Sequence, residues 1–184
     1  MDTIIQNLKH VQQRIDEACK AAGRDPKEVK LLLATKTVSP ERIQQALAAG
    51  YTLIAENKVQ ELKEKYEALK STPHTNHFIG HLQTNKIKDI LKCEVSCVES
   101  LDRYDLAEKL HQKLSQSGRE MDVFIQVNTS GEESKFGIAP DKALELTRQV
   151  AQLPTLHIRG LMTIGLFSAE EDKVRKCFQL LKRI

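Results

Sequence analysis

Six times along this chain a short, nearly unbroken apolar run is followed by a longer stretch whose apolar residues recur every three or four positions. The runs are Val29 to Ala34, Leu53 to Ala55, His77 to Gly80, Val95 to Val98, Val123 to Val127 and Ile158 to Thr163. Runs this short and this apolar are strands buried on both faces, as in a parallel sheet covered by helices. The stretches between them supply those helices: Ile43, Ala46 and Leu47; Val59, Leu62, Tyr66 and Leu69; Ile87, Ile90 and Leu91; Leu106, Leu110 and Leu114; Ala143, Leu144, Thr147 and Val150; Val174, Phe178 and Leu181. A seventh helix precedes them, with Ile4, Leu8, Val11, Ile15, Ala18 and Ala22 on one stripe.

The punctuation agrees with this alternation. Thr3 with Gln6 and Ser168 with Glu171 have capping-box spacing, Ser39-Pro40 is an N-cap followed by proline at the first helical position, and Gly23, Gly50 and Gly118 stop helices. No hairpin signal separates the units, so helical crossovers must join the strands, and those crossovers are right-handed. Two closures remain, a barrel or an open doubly wound sheet. The expectation is a single α/β domain over residues 1–184, a (β/α) TIM-type barrel. Eight such units need at least about 200 residues. The chain stops at Ile184 inside its sixth crossover helix, so it is expected to lack the last two βα units and to be C-terminally incomplete.

Composition removes several function classes. With 40% hydrophobic and 29% charged residues, the chain has the balance of an ordinary globular protein. Its net charge is only +3, with Lys and Arg spread along helices, which gives no footprint for nucleic acid. No apolar run approaches the roughly 20 residues of a membrane span. Cys19, Cys93, Cys97 and Cys177 form no C-x-x-C pair, and no export signal precedes them. Reduced thiols and a cytoplasmic location are expected. The histidines are scattered without ligand spacing, and no Walker loop, G-x-G-x-x-G, H-E-x-x-H or G-x-S-x-G occurs.

In parallel α/β folds ligands bind at the carboxyl ends of the strands. Those positions are polar in this chain: Thr35-Lys36-Thr37, Glu56-Asn57, Gly80-His81, Glu99-Ser100, Asn128-Thr129-Ser130 and Met162-Thr163. Lys36 follows an apolar run and precedes a helix cap, a setting in which apolar walls would favour the neutral, nucleophilic amine. A lysine that snorkels into solvent is the stronger reading from that residue alone. Asn57 is a ligand contact or the N-cap of the next helix, and His81 is a ligand donor or the partner of a nearby carbonyl. The polar stretch from Asn128 to Gly137 suits either a binding loop or a surface turn, with Lys135 solvated.

LLLATKTVSPERI, AENKVQE, HFIGHLQTNK, IQVNTSGEESKFGI and IRGLMTI, in this order, resemble the pyridoxal phosphate homeostasis protein family, relatives of the barrel domain of alanine racemase. The resemblance runs over essentially the whole chain. It implies a fold-type III barrel that binds pyridoxal 5′-phosphate (PLP), with Lys36 as the Schiff-base lysine and Asn57 facing the cofactor ring. It also implies that His81, Asn128 and Met162 line the mouth, and that Lys135 touches the phosphate or a transient adduct. The family's seventh and eighth strands, with the loops that hold the phosphate and the pyridine nitrogen, have no counterpart in this sequence.

The function so implied is that of a carrier or buffer of PLP rather than an enzyme. It would be monomeric, would hand the cofactor to apo-enzymes, and would need neither nucleic acid nor membrane. The main alternative is a fold-type III PLP-dependent enzyme such as an amino-acid racemase. A second domain with a catalytic tyrosine, which the racemase needs, is not encoded in this sequence. A third reading is an interaction module without chemistry at Lys36.

Overall fold

The computed structural model describes residues 3–184, which form two compact units, one ending at Asn76 and one beginning at His77. The fold class is the expected one, α/β of the (β/α) barrel type, in which strand and helix alternate and the described strand pairings are parallel.

The first unit contains α1 (Thr3–Ala21), β1 (Leu33–Ala34), α2 (Pro40–Ala48), β2 (Leu53–Glu56), α3 (Val59–Leu69) and the first residues of β3 (Thr75–Phe78). β1 pairs with β2 through Leu33↔Ile54 and Ala34↔Ala55. Behind this pair Ile43, Leu47, Ile54 and Leu69 form a buried cluster, with Leu33 and Val38 packed against it. The strand expected over residues 29–34 narrows to two residues. Leu31 and Leu32 lie outside the regular strand, which holds only Leu33 and Ala34. Thr3 is the first residue of α1, so its N-cap position falls outside the described residues. The apolar stripe of α1 is helical as read, but it is only partly covered: Cys19 is buried, while Val11 stays 39% exposed.

The second unit runs from His77 in β3 through α4 (Ile87–Lys92), β4 (Cys97–Leu101), α5 (Tyr104–Gln116), β5 (Met121–Gln126), α6 (Ala143–Val150), β6 (Leu156–Met162) and α7 (Glu171–Arg183). A short 3-10 turn, Thr84–Lys86 or Pro140–Lys142, leads directly into α4 and α6. The register is His77↔Cys97, Cys97↔Asp122 and Asp122↔His157, with an irregularity between Val123 and Phe124. α5 shows why the period-3.6 reading worked, because Leu106, Leu110 and Leu114 are all at 0% exposure. Each such burial stabilises by about 1.5–3 kcal/mol.

The structure settles an open choice at one helix start and corrects an expected cap at another. The N-cap of α3 is Lys58, without a side-chain cap bond, so Asn57 is not spent on capping. The N-cap of α7 is Glu170; Ser168 lies two residues earlier, where its Oγ accepts from the Glu170 N–H at 3.0 Å. On α7 it is Cys177 that is buried, whereas Phe178 is 51% exposed.

Candidate functional site

Lys36 and Asn57 each lie two residues beyond the Ala34↔Ala55 pair, so the chain delivers them side by side at the carboxyl ends of adjacent parallel strands. Lys36 is exposed, and among the described residues nothing accepts a hydrogen bond from its amine or forms an ion pair with it. The apolar walls expected around its stem are therefore not found, because the residue sits on a turn clear of the apolar cluster. Asn57 differs in kind: its Oδ1 is buried and lacks a hydrogen-bond partner. A buried carbonyl oxygen without a donor costs roughly 1–3 kcal/mol, so native structures seldom leave one unless something else fills the role.

The backbone that carries Lys36 is tied on both sides. Residues 35–38 form a turn closed by Val38 N–H donating to the Thr35 carbonyl at 3.0 Å. Thr37, at the third position, has φ +62°, a conformation that ordinarily favours glycine or asparagine. Its N–H donates to Glu61 Oε2 at 2.6 Å. Lys65, which is buried, donates to the Thr35 carbonyl at 2.8 Å, to Glu56 Oε1 at 2.6 Å and to Glu61 Oε2 at 3.0 Å. Thr35 Oγ1 donates to the same Glu56 oxygen at 2.6 Å. Burial works against the charge on Lys65, but the hydrogen bonds to Glu56 and Glu61 and their attraction outweigh it, leaving the ammonium above its ordinary pKa. Glu61 is held below the usual carboxylate range, first by the Thr37 N–H and then by Lys65.

In the second unit the strand-end residues are largely occupied with one another. Asn128 Nδ2 donates to the carbonyls of Glu132 at 2.9 Å and Lys135 at 3.2 Å, while its Oδ1 accepts from Ser130 Oγ and Gly131 N, both at 3.1 Å. The side chain thus organises its own loop. Lys135 is not solvated as expected: it pairs with Glu132 at 2.5 Å and donates to the Gly165 carbonyl at 2.8 Å. His81 stacks on Phe136, with ring centroids 3.9 Å apart, and its Nδ1 lies 3.8 Å from Asp102. Met162 ends β6, and its carbonyl accepts from Val127 N–H at 2.8 Å. Thr129 and Thr163 hydroxyls meet at 2.9 Å.

Two arrangements escaped the sequence reading. One is the Glu56, Glu61 and Lys65 set, of which only the i,i+4 spacing of Glu61 and Lys65 was visible in sequence. The other lies on β3 and β4, where His77, Cys97 and Glu99 bring a ring nitrogen, a sulfur and a carboxylate oxygen within 4.8 Å of one another. His77 Nδ1 already meets Glu99 at 2.6 Å, and burial, with Glu99 and Asp122 nearby, pushes the Cys97 thiol up to about 12. A thiol so placed stays protonated at neutral pH and is a poor ligand.

Comparison with known proteins adds a family. Residues 2–184 match the alanine racemase N-terminal domain family. Over 179 residues the chain is 40% identical to a pyridoxal phosphate homeostasis protein of Aquifex aeolicus, covering 97% of this chain and 78% of that protein. The protein of the same name from Pasteurella multocida is 43% identical over 164 residues, 88% of this chain and 70% of the relative. Among solved structures, an unknown protein from Bifidobacterium adolescentis superposes with TM-score 0.92 at 35% identity, covering all of this chain and 79% of its own. PipY of Synechococcus elongatus, solved with PLP bound, gives TM-score 0.69 at 27% identity, covering 92% of this chain and 82% of that one.

Proposed function

The chain belongs to the pyridoxal phosphate homeostasis protein family, and from that premise we propose that it binds PLP reversibly through a Schiff base on Lys36, carrying or buffering the cofactor in the cytoplasm rather than catalysing a reaction. The observation that carries this reading is an amine on Lys36 and a buried amide oxygen on Asn57 at neighbouring strand ends, both without a hydrogen-bond partner among the described residues. There Lys36 would hold the aldehyde of PLP and Asn57 Oδ1 would accept a hydrogen bond from a donor on its ring. Condensation of that amine with the aldehyde would release one water, and hydrolysis would return both partners, which is the reversibility a carrier needs.

The remaining proposed contacts are weaker in kind. His81, presented on the face of Phe136, and Met162, at the end of β6, are apolar or stacking surfaces. Asn128 contributes by holding the loop that carries Phe136, because its amide is already saturated. Apo-enzymes that accept PLP are the proposed partners, and the working state is a monomer. No helix among the described residues is long and apolar enough to cross a membrane.

The test is spectroscopic. Protein mixed with PLP should develop a near-visible band that bleaches on borohydride reduction, and peptide mapping by mass spectrometry should place the reduced adduct on Lys36. A colourless mixture, or an adduct confined to other lysines, would overturn the reading. Sustained conversion of amino acids above background would replace the carrier with an enzyme.

A further inference from the structure

We propose that Glu61 and Lys65 of α3, together with Glu56 of β2, are positioning residues that fix the backbone on both sides of Lys36 and so aim its amine. This deepens the reading of Lys36 as the PLP-binding lysine and rests on it. The peptide groups flanking Lys36 are the two that the set grips: Lys65 Nζ donates to the Thr35 carbonyl at 2.8 Å, and Glu61 Oε2 accepts from the Thr37 N–H at 2.6 Å. That one carboxylate oxygen also takes Lys65 at 3.0 Å, so the two grips are coupled through a single atom.

A purely structural role explains this less well. All three ammonium protons of Lys65 are used, by Thr35, Glu56 and Glu61, inside the unit. A buried ion pair is seldom better for stability than apolar residues of the same volume, whereas it does fix geometry. The geometry it fixes is an unfavourable one. Thr37 holds φ +62° at the third position of the turn, where an untethered threonine would relax to negative φ and swing Lys36 with it. Strain of this kind persists only where neighbours over-determine it, and in this turn Glu61 does so directly.

The experiment uses Glu61→Ala, Glu61→Gln and, as a control on the exposed face of α3, Glu64→Ala. Two quantities are read: hydrogen exchange of the Thr37 amide in PLP-free protein, and PLP affinity from the near-visible band, with the adduct mapped after reduction. Losing a charged acceptor should speed Thr37 exchange at least about tenfold and weaken PLP binding about tenfold, with cooperative unfolding retained. Glu61→Gln keeps an acceptor and should fall between Ala and wild type, while Glu64→Ala should match wild type. If Glu61→Ala keeps wild-type affinity at Lys36, or if Glu64→Ala weakens binding equally, the positioning role is wrong while Lys36 remains the PLP lysine. If wild type carries no adduct at Lys36, the functional reading fails and takes the inference with it. Should Glu61→Ala not fold, the Gln variant decides alone: unchanged Thr37 exchange and unchanged affinity would overturn the proposal.

Discussion

The two units treat the polar residues at their strand ends in opposite ways. In the first, the backbone around Lys36 is gripped by Glu61 and Lys65, yet among the described residues the Lys36 amine and the Asn57 amide oxygen have no hydrogen-bond partner. In the second, the Asn128 side chain makes four hydrogen bonds, Lys135 is paired, and His81 is stacked. An unpartnered amine and amide oxygen beside a hydrogen-bonded frame can take up a ligand, whereas a side chain that spends its bonds on its own loop builds that frame. Equal polarity in sequence thus conceals two kinds of work.

The largest effect that could break this contrast is Lys36→Ala. Because Lys36 is exposed and unpaired, its removal should change unfolding stability by no more than about 0.5 kcal/mol. The borohydride-trapped adduct, in contrast, should vanish from residues 35–37. Persistent labelling elsewhere with undiminished colour would remove the first unit from the site.

Next in size are changes to the frame of the second unit. Gly137 has φ +123°, and a Cβ there would stand 2.6 Å from the Asn128 backbone nitrogen. Gly137→Ala should therefore force apart the loop closure made by Asn128 N–H to the Ile138 carbonyl, at a cost of about 2–4 kcal/mol. Asn128→Ala should cost about 1–3 kcal/mol, since its four bonds are partly solvated and not additive. Both are read by chemical denaturation. Covalent capture at Lys36 should survive both, and its abolition in Asn128→Ala would show that this amide serves PLP as well as its loop.

The sequence exposed periodicity far better than partnership. Strand–helix alternation was legible because burial imposes a period, as in Leu106, Leu110 and Leu114, and the candidate site was proposed from where strands end. Which strand-end residue is free was not legible. Asn57 could be a cap or a ligand contact because Asn caps helices well; the helix begins after Lys58 and leaves the amide oxygen without a partner among the described residues. Glu56, Glu61 and Lys65 are separated by five and four positions, and only folding brings their charges onto the Thr35–Thr37 turn. Lys36 was expected among apolar walls, because a strand over residues 29–34 would have buried its stem; the strand is two residues long.

Asn57→Ala sharpens the contrast through a difference in sign. Deleting a buried acceptor that has no donor removes a penalty, so the PLP-free protein should unfold at equal or slightly higher denaturant concentration. PLP affinity should nevertheless fall about tenfold, as for the loss of one hydrogen bond of roughly 1.5 kcal/mol. A drop in stability without a change in affinity would assign Asn57 to the frame instead.

The smallest expected effect is on pH, and both units carry a carboxylate that can report it. Glu61 is depressed chiefly by the Thr37 N–H, and Glu132 chiefly by its bond to Lys135. A carboxyl group with a lowered folded pKa contributes stability that is fully present above the ordinary carboxylate range. That contribution is lost as pH falls through the depressed folded value, because there the unfolded chain binds more protons. The Thr37 amide should therefore keep its protection from neutral pH down through the ordinary carboxylate range and lose it only in stronger acid, where the Glu132–Lys135 attraction is lost as well. Intrinsic-rate-corrected exchange of the Thr37 amide should show that step in wild type and lack it in Glu61→Gln. Only loosening of the first turn should alter how PLP is held, so the wild-type and Glu61→Gln affinities should converge in acid, while Glu132→Gln should track wild type throughout. Convergence in the Glu132 variant instead would place the responsive frame in the second unit and reverse the comparison.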